Sequence, residues 1–201
     1  YTDPAGWSVG GLTKGAGMIA PSMATMLSVV TTDAVVDPAS LQDALRAAVR
    51  VSFDRLDVDG SMSTNDTVLL LASGASGVRA DEAALTVAVT AVCRDLAKQM
   101  QADAEGVTKR ILVRVTGART EDEAVTVART VARDSLVKTA LFGSDGNWGR
   151  VAAAVGYSDA HVDPDRIDIT INGVLLCAGG VAAGGRTDAD LSGEDIVVGI
   201  A

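Results

Sequence analysis

Residues Lys14 to Leu27 read Lys-Gly-Ala-Gly-Met-Ile-Ala-Pro-Ser-Met-Ala-Thr-Met-Leu, a glycine-lined stretch leading into an apolar segment with a hydroxyl at Thr25. Three kinds of chemistry use such a pattern. The first is dinucleotide binding, since Gly15, Gly17 and Ala20 match the GxGxxA spacing. That fingerprint works only where a strand turns into a helix whose N-terminus faces the pyrophosphate, and here Pro21 and a β-branched apolar run follow. The second is a P-loop, which needs a Lys-Ser/Thr pair after the glycines; Lys14 precedes them. The third is acyl chemistry at Thr25, whose hydroxyl can attack a neighbouring carbonyl where the backbone ahead of it accommodates strain. Residue types alone do not separate this from an ordinary strand threonine after a glycine-rich turn.

Other reactive side chains are few. Cys93 and Cys177 stand far apart with no CxxC or histidine spacing, which predicts two buried, reduced thiols and neither a disulfide framework nor a zinc site. The single histidine, His161, lies in a polar stretch with Asp159, Asp163 and Pro164 and reads as an exposed loop residue, not the base of a Ser-His-Asp arrangement. Asp57–Thr67 is dense in carboxylates and hydroxyls. Its glycine, Gly60, falls at the fourth place and not the sixth, so it is no EF-hand. Asn65, Asp66 and the hydroxyls there are expected to bond nearby backbone, and no metal site is predicted.

Four segments in order carry a resemblance. They are Lys14–Leu27; Asp57-Val58-Asp59-Gly60-Ser61-Met62-Ser63-Thr64-Asn65-Asp66-Thr67; Glu105-Gly106-Val107-Thr108-Lys109; and Lys138-Thr139-Ala140 with Asn147-Trp148-Gly149-Arg150. Together they resemble the ornithine acetyltransferase family, the bifunctional glutamate N-acetyltransferases of arginine biosynthesis. Gly146 departs from the family pattern, which has proline before Asn-Trp-Gly-Arg; the change is expected to alter one turn. The resemblance implies an N-terminal half carrying a Thr-Gly oxyanion hole and a C-terminal tail with substrate residues, both outside these residues. The chain, opening Tyr1-Thr2-Asp3-Pro4, is therefore expected to be an internal piece without a complete active site.

The resemblance implies self-cleavage between Ala24 and Thr25. Residues 1–24 would end an alpha fragment, and 25–201 would be a beta fragment beginning with the nucleophile. Thr25 would then bear a free α-amino group, titrating near ~7.7–8.0 and so able to take the hydroxyl proton at neutral pH. The implied reaction is ping-pong acetyl transfer from N-acetylornithine to glutamate through acetyl-Thr25. Lys14 matches the family's substrate lysine and Glu105 its substrate glutamate. No cofactor is implied; acetyl-CoA as a co-substrate is left open. The implied assembly is an alpha–beta heterodimer paired into a heterotetramer, in the cytoplasm. A self-cleaving aminopeptidase of the same fold, typically with a serine nucleophile, is the alternative.

The elements that must position these residues follow from periodicity. Met23–Thr32 reads as a buried strand after a Gly-rich stretch of loop and irregular strand. Asp37-Pro38 starts a helix. Thr67–Ala72 is a short strand. Asp81 to about Gln101 is a long helix with Leu85, Val89, Val92, Leu96 and Met100 on one stripe. Arg110–Thr116 alternates as a strand. Thr120–Glu123 is a capping box opening a helix to about Val137, and Asn147–Val155 is a shorter helix. Asn172-Gly173 joins a hairpin, and Asp195–Ala201 is a last strand. No internal domain boundary is visible.

These elements predict an α/β chain with mixed, largely antiparallel sheets layered with helices. The resemblance implies the αββα-type sandwich of the self-cleaving acetyltransferase/aminopeptidase superfamily. Of the 201 residues, 48% are apolar and 21% charged, which suffices for a core without cross-links. A net charge of −9 and the absence of a Lys/Arg run argue against nucleic-acid binding. No apolar stretch is long enough to span a membrane.

Overall fold

The computed structural model describes residues 1–19, 26–61 and 63–201, which divide into two compact units, Tyr1–Gly106 and Val107–Ala201. The division corrects the reading of an undivided chain. It falls in the Asp103–Lys109 connection, whose composition is that of any loop.

In the first unit three strands pair in the order β1 (Val9–Lys14), β2 (Leu27–Thr32), β3 (Thr67–Ala72). β1 and β2 are antiparallel, with Lys14 opposite Leu27, and β2 and β3 are parallel, with Leu27 opposite Thr67. β1 is regular over six residues, where a loop with irregular strand was expected. Its glycines mislead because one of them serves packing: a Cβ on Gly11 would stand 3.1 Å from Leu96 Cδ1 and 3.0 Å from the Val29 carbonyl oxygen.

Two helices complete this unit. Asp37 accepts N–H bonds from Ala39 and Ser40 at 3.1 and 3.0 Å and starts α1 (Pro38–Arg50), with proline in the first turn as expected. α2 (Glu82–Ala102) is capped by Asp81 and buries Leu85, Val89, Cys93, Leu96 and Met100. These meet Val9, Val30 and Leu70 from the sheet and Ala44 and Ala48 from α1. Each fully buried Val or Leu contributes about 1.5–3 kcal/mol relative to exposure.

The second unit is a five-stranded sheet in the order β4 (Arg110–Val115), β8 (Asp195–Ile200), β5 (Ile169–Ile171), β6 (Val174–Ala178), β7 (Val181–Ala182). Only β4 and β8 are parallel, so antiparallel pairs predominate across the two sheets. Asn172 (φ 48°) and Gly173 (φ 82°) make the hairpin turn with both residues in the left-handed region. The Asn172 side chain also accepts from Val197 N–H at 2.8 Å, tying the turn to β8.

Thr120 accepts from Glu123 N–H at 3.1 Å and opens α3 (Glu121–Arg133). The helix does not continue to Val137. It stops at Arg133, and Asp134 turns extended to cap a separate α4 (Ser135–Phe142), accepting from Val137 N–H at 2.7 Å. α5 (Trp148–Gly156) follows, capped by Asn147. Val127, Val131, Leu141, Val151 and Val155 from these helices close over Ile169, Ile171, Leu176, Ile196 and Val198. No described helix is long and apolar enough to cross a membrane.

Candidate active site

Lys14 is the last residue of β1 and is exposed. From it the chain runs through residues 15–18 along the wall of an open cleft of about 1270 Å³. Glu105, just past the C-terminus of α2, lines the same cleft, as do Asp59, Asp95 and Gln99. Two contacts hold Glu105 against the glycine-rich loop. Its backbone N–H donates to the Ala16 carbonyl at 2.8 Å. Its carboxylate packs on Gly17, where a Cβ would lie 3.2 Å from Glu105 Cδ. The structure thus brings together the lysine and the glutamate singled out in the sequence, one from a strand end and one from a helix end.

Ala24 and Thr25 lie outside the described residues, as do the first three residues of the strand predicted over Met23–Thr32; its described part is β2, which starts at Leu27. The residues on either side of that segment converge. A Cβ on Gly15 would be 3.6 Å from Ile19 Cδ1 and 3.6 Å from Met26 Cα. Ile19 and Met26 are both buried in the core of the first unit.

The acidic loop holds both of these flanks. Met18 N–H donates to Asp59 Oδ2 at 2.6 Å, and Val58 N–H to the Ile19 carbonyl at 2.6 Å. On the other side Met26 N–H donates to Asp66 Oδ1 at 2.6 Å, and its carbonyl accepts from Thr67 N–H at 3.0 Å. Met18 sits in the left-handed region (φ 53°), unusual for a residue with a side chain, at a cost of about 1–3 kcal/mol. A charge-assisted bond from Asp59 offsets part of that cost. The loop is itself internally braced: Asp57 accepts from Gly60 N–H and Asp59 Oδ1 from Ser61 N–H, both at 3.0 Å. The bonding of Asp66 to nearby backbone is as the sequence suggested. The roles of Asp59 and Met18 carry no signal in spacing and were missed.

The remaining motif residues act locally. Asn147 Oδ1 caps α5 at Arg150 N–H, and its Nδ2 donates to Asp145 at 3.0 Å. Asp145 pairs with Arg186, which holds its carboxyl below the usual aspartate range. Arg150 Nη1 donates to the Leu136 carbonyl at 2.9 Å. Lys109 Nζ bonds the carbonyls of Leu191 and Gly193 at 2.7 and 2.8 Å. Gly146 is confined, because a Cβ there would be 2.4 Å from the Arg186 carbonyl oxygen.

Neither thiol is placed for catalysis. Cys93 and Cys177 are buried and unbridged, and burial pushes Cys93 up to about 11. His161 is exposed, and its backbone bonds the Glu123 carboxylate. Among the described residues no group of three or more His, Cys, Asp or Glu side chains could hold a metal ion.

Mixed, largely antiparallel sheets layered with helices are shared with a solved relative, and the sequence matches one family along almost its whole length. The chain belongs to the ArgJ family, whose model matches residues 2–201. It is 63% identical over 193 residues to the arginine biosynthesis bifunctional protein ArgJ of Mycolicibacterium paratuberculosis, covering 96% of this chain and 48% of that protein. The protein of the same name from Mycobacterium tuberculosis is 63% identical over 190 residues, covering 94% and 47%. The crystal structure of ArgJ from Bacillus halodurans superimposes with a TM-score of 0.78 at 41% identity, covering 87% of this chain and 88% of that one. The chain therefore spans about half the length of the curated relatives it matches.

Proposed function

We propose that this chain carries the cleavage junction and part of the substrate site of a glutamate N-acetyltransferase of the ornithine acetyltransferase type. The enzyme moves an acetyl group from N2-acetyl-L-ornithine to L-glutamate in arginine biosynthesis. The observation that carries the reading is the cleft in which Lys14 and Glu105 flank the loop leading to Thr25.

Maturation begins when Thr25 Oγ attacks the Ala24 carbonyl. The peptide bond breaks as the acyl group passes from nitrogen to oxygen, and water hydrolyses the ester. Residues 1–24 become the end of an alpha fragment and residues 25–201 part of a beta fragment. The six residue pairs between β1 and β2 keep the fragments joined across the cut.

The new α-amino group, with a pKa near ~7.7–8.0, is partly neutral at pH 7 and takes the proton as Thr25 Oγ attacks the acetyl carbonyl of the donor. The proton returns to the departing amine of ornithine, and the amine of glutamate then attacks acetyl-Thr25. Lys14 binds the α-carboxylate common to donor and acceptor, so one cation orients both. Glu105 binds the cationic side chain of ornithine. The scheme needs no cofactor, and acetyl-CoA is a second donor to be read in the same assay. The working form is an alpha–beta heterodimer paired into a heterotetramer, in the cytoplasm.

Full-length protein bearing Thr25→Ala is the test. It is expected to remain one uncut chain on a denaturing gel and to transfer no acetyl group, while the unaltered protein releases ornithine from N-acetylornithine in a glutamate-dependent manner. Cleavage of the variant at the same bond, or acetate release indifferent to glutamate, contradicts the proposal.

A further inference from the structure

We infer that the Asp57–Thr67 loop is the template that sets the geometry of Thr25, with Asp66 as its principal positioning residue. The inference rests on the assignment of Thr25 as nucleophile. The two ends of the cleavage segment enter and leave the core beside Gly15, and this loop bonds both. Asp59 and Val58 take the incoming backbone at Met18 and Ile19, and Asp66 and Thr67 take the outgoing backbone at Met26.

Asp66 holds the N–H of the residue directly following Thr25, at 2.6 Å and to a carboxylate oxygen. Attack on the Ala24 carbonyl, and later on an acetyl carbonyl, depends on where the Thr25 hydroxyl is aimed. The peptide unit that follows Thr25 ends at the Met26 N–H, so a hold on that N–H limits how far this unit can turn. Met26 is bonded through both its N–H, to Asp66, and its carbonyl, to Thr67, so the two peptide units that flank its Cα are both restrained. The Met26 side is also braced by burial of its side chain in the core. On the opposite flank the left-handed Met18 is stabilised by the second carboxylate, so the loop restrains the segment at two points and not one.

Three variants of the full-length protein decide the matter. Asp66→Ala removes the acceptor. Asp66→Asn keeps an oxygen that can accept the same N–H. Asp37→Ala removes a carboxylate that also accepts backbone N–H bonds, but at the N-terminus of α1. Asp66→Ala is expected to slow self-cleavage by at least about tenfold, the scale of a lost charged hydrogen bond. In the cleaved fraction it is expected to lower kcat for N-acetylornithine while KM changes less than about twofold. Asp66→Asn should recover most of both rates, and Asp37→Ala should cleave like the unaltered protein. The inference is overturned if Asp66→Ala cleaves and turns over normally, if Asp66→Asn is as impaired as the alanine variant, or if Asp37→Ala is equally impaired. Failure of the unaltered protein to cleave at Ala24–Thr25 would instead remove the assignment of Thr25 itself.

Discussion

Glu105 is held on its backbone side by the Ala16 carbonyl and on its carboxylate side by the absence of a side chain at Gly17. In the proposed scheme its role differs from that of Lys14. A cation beside the α-carboxylate serves donor and acceptor alike, whereas an anion beside the side-chain ammonium serves the donor alone. Glu105→Gln is therefore expected to lower kcat/KM for N-acetylornithine by about tenfold or more, and to leave the glutamate half-reaction within about threefold. Steady-state kinetics with each substrate varied in turn checks this. Equal losses toward both substrates would contradict the assignment. The lysine and the glutamate were legible as candidates only through their motifs, since neither their burial nor their spacing marks them. Their meeting in one cleft was not legible, because it depends on where α2 ends relative to β1.

Among the elements, the helix starts were the most readable. Asp37, Asp81, Thr120 and Asn147 each announce a helix by residue type, and each caps one in the structure. Breaks without glycine or proline were opaque. Asp134 ends α3 and starts α4 with no glycine or proline nearby. β1 was hidden for the opposite reason, since Gly10 and Gly11 suggest a loop while Gly11 is where α2 packs against the strand. Gly146 is a third case of glycine serving packing. The departure from the family's proline involves two segments, not one turn, because the backbone at Arg186 occupies the space a side chain would need. Gly146→Ala is expected to cost about 1–3 kcal/mol, measured by chemical denaturation. The Asp145–Arg186 pair, which depends on the same approach, should loosen with it. An alanine variant of undiminished stability would show that the two segments separate at no cost.

At the scale of the whole molecule, the described residues on both sides of the proposed cleavage site, and the loop that bonds them, belong to the first unit, Tyr1–Gly106. A cut at residue 24 leaves β1 on one fragment and β2 on the other, paired residue by residue from Val9–Thr32 to Lys14–Leu27. The fragments of the full-length protein are therefore expected to travel together on native size exclusion and to part only in denaturant. Cleavage at Ala24–Thr25 is tested by the intact mass and N-terminal sequence of active, full-length protein under denaturing conditions. Two chains are predicted, one of them beginning Thr-Met-Leu-Ser. A single mass in fully active material would leave Thr25 without a free amine, and the mechanism without its base.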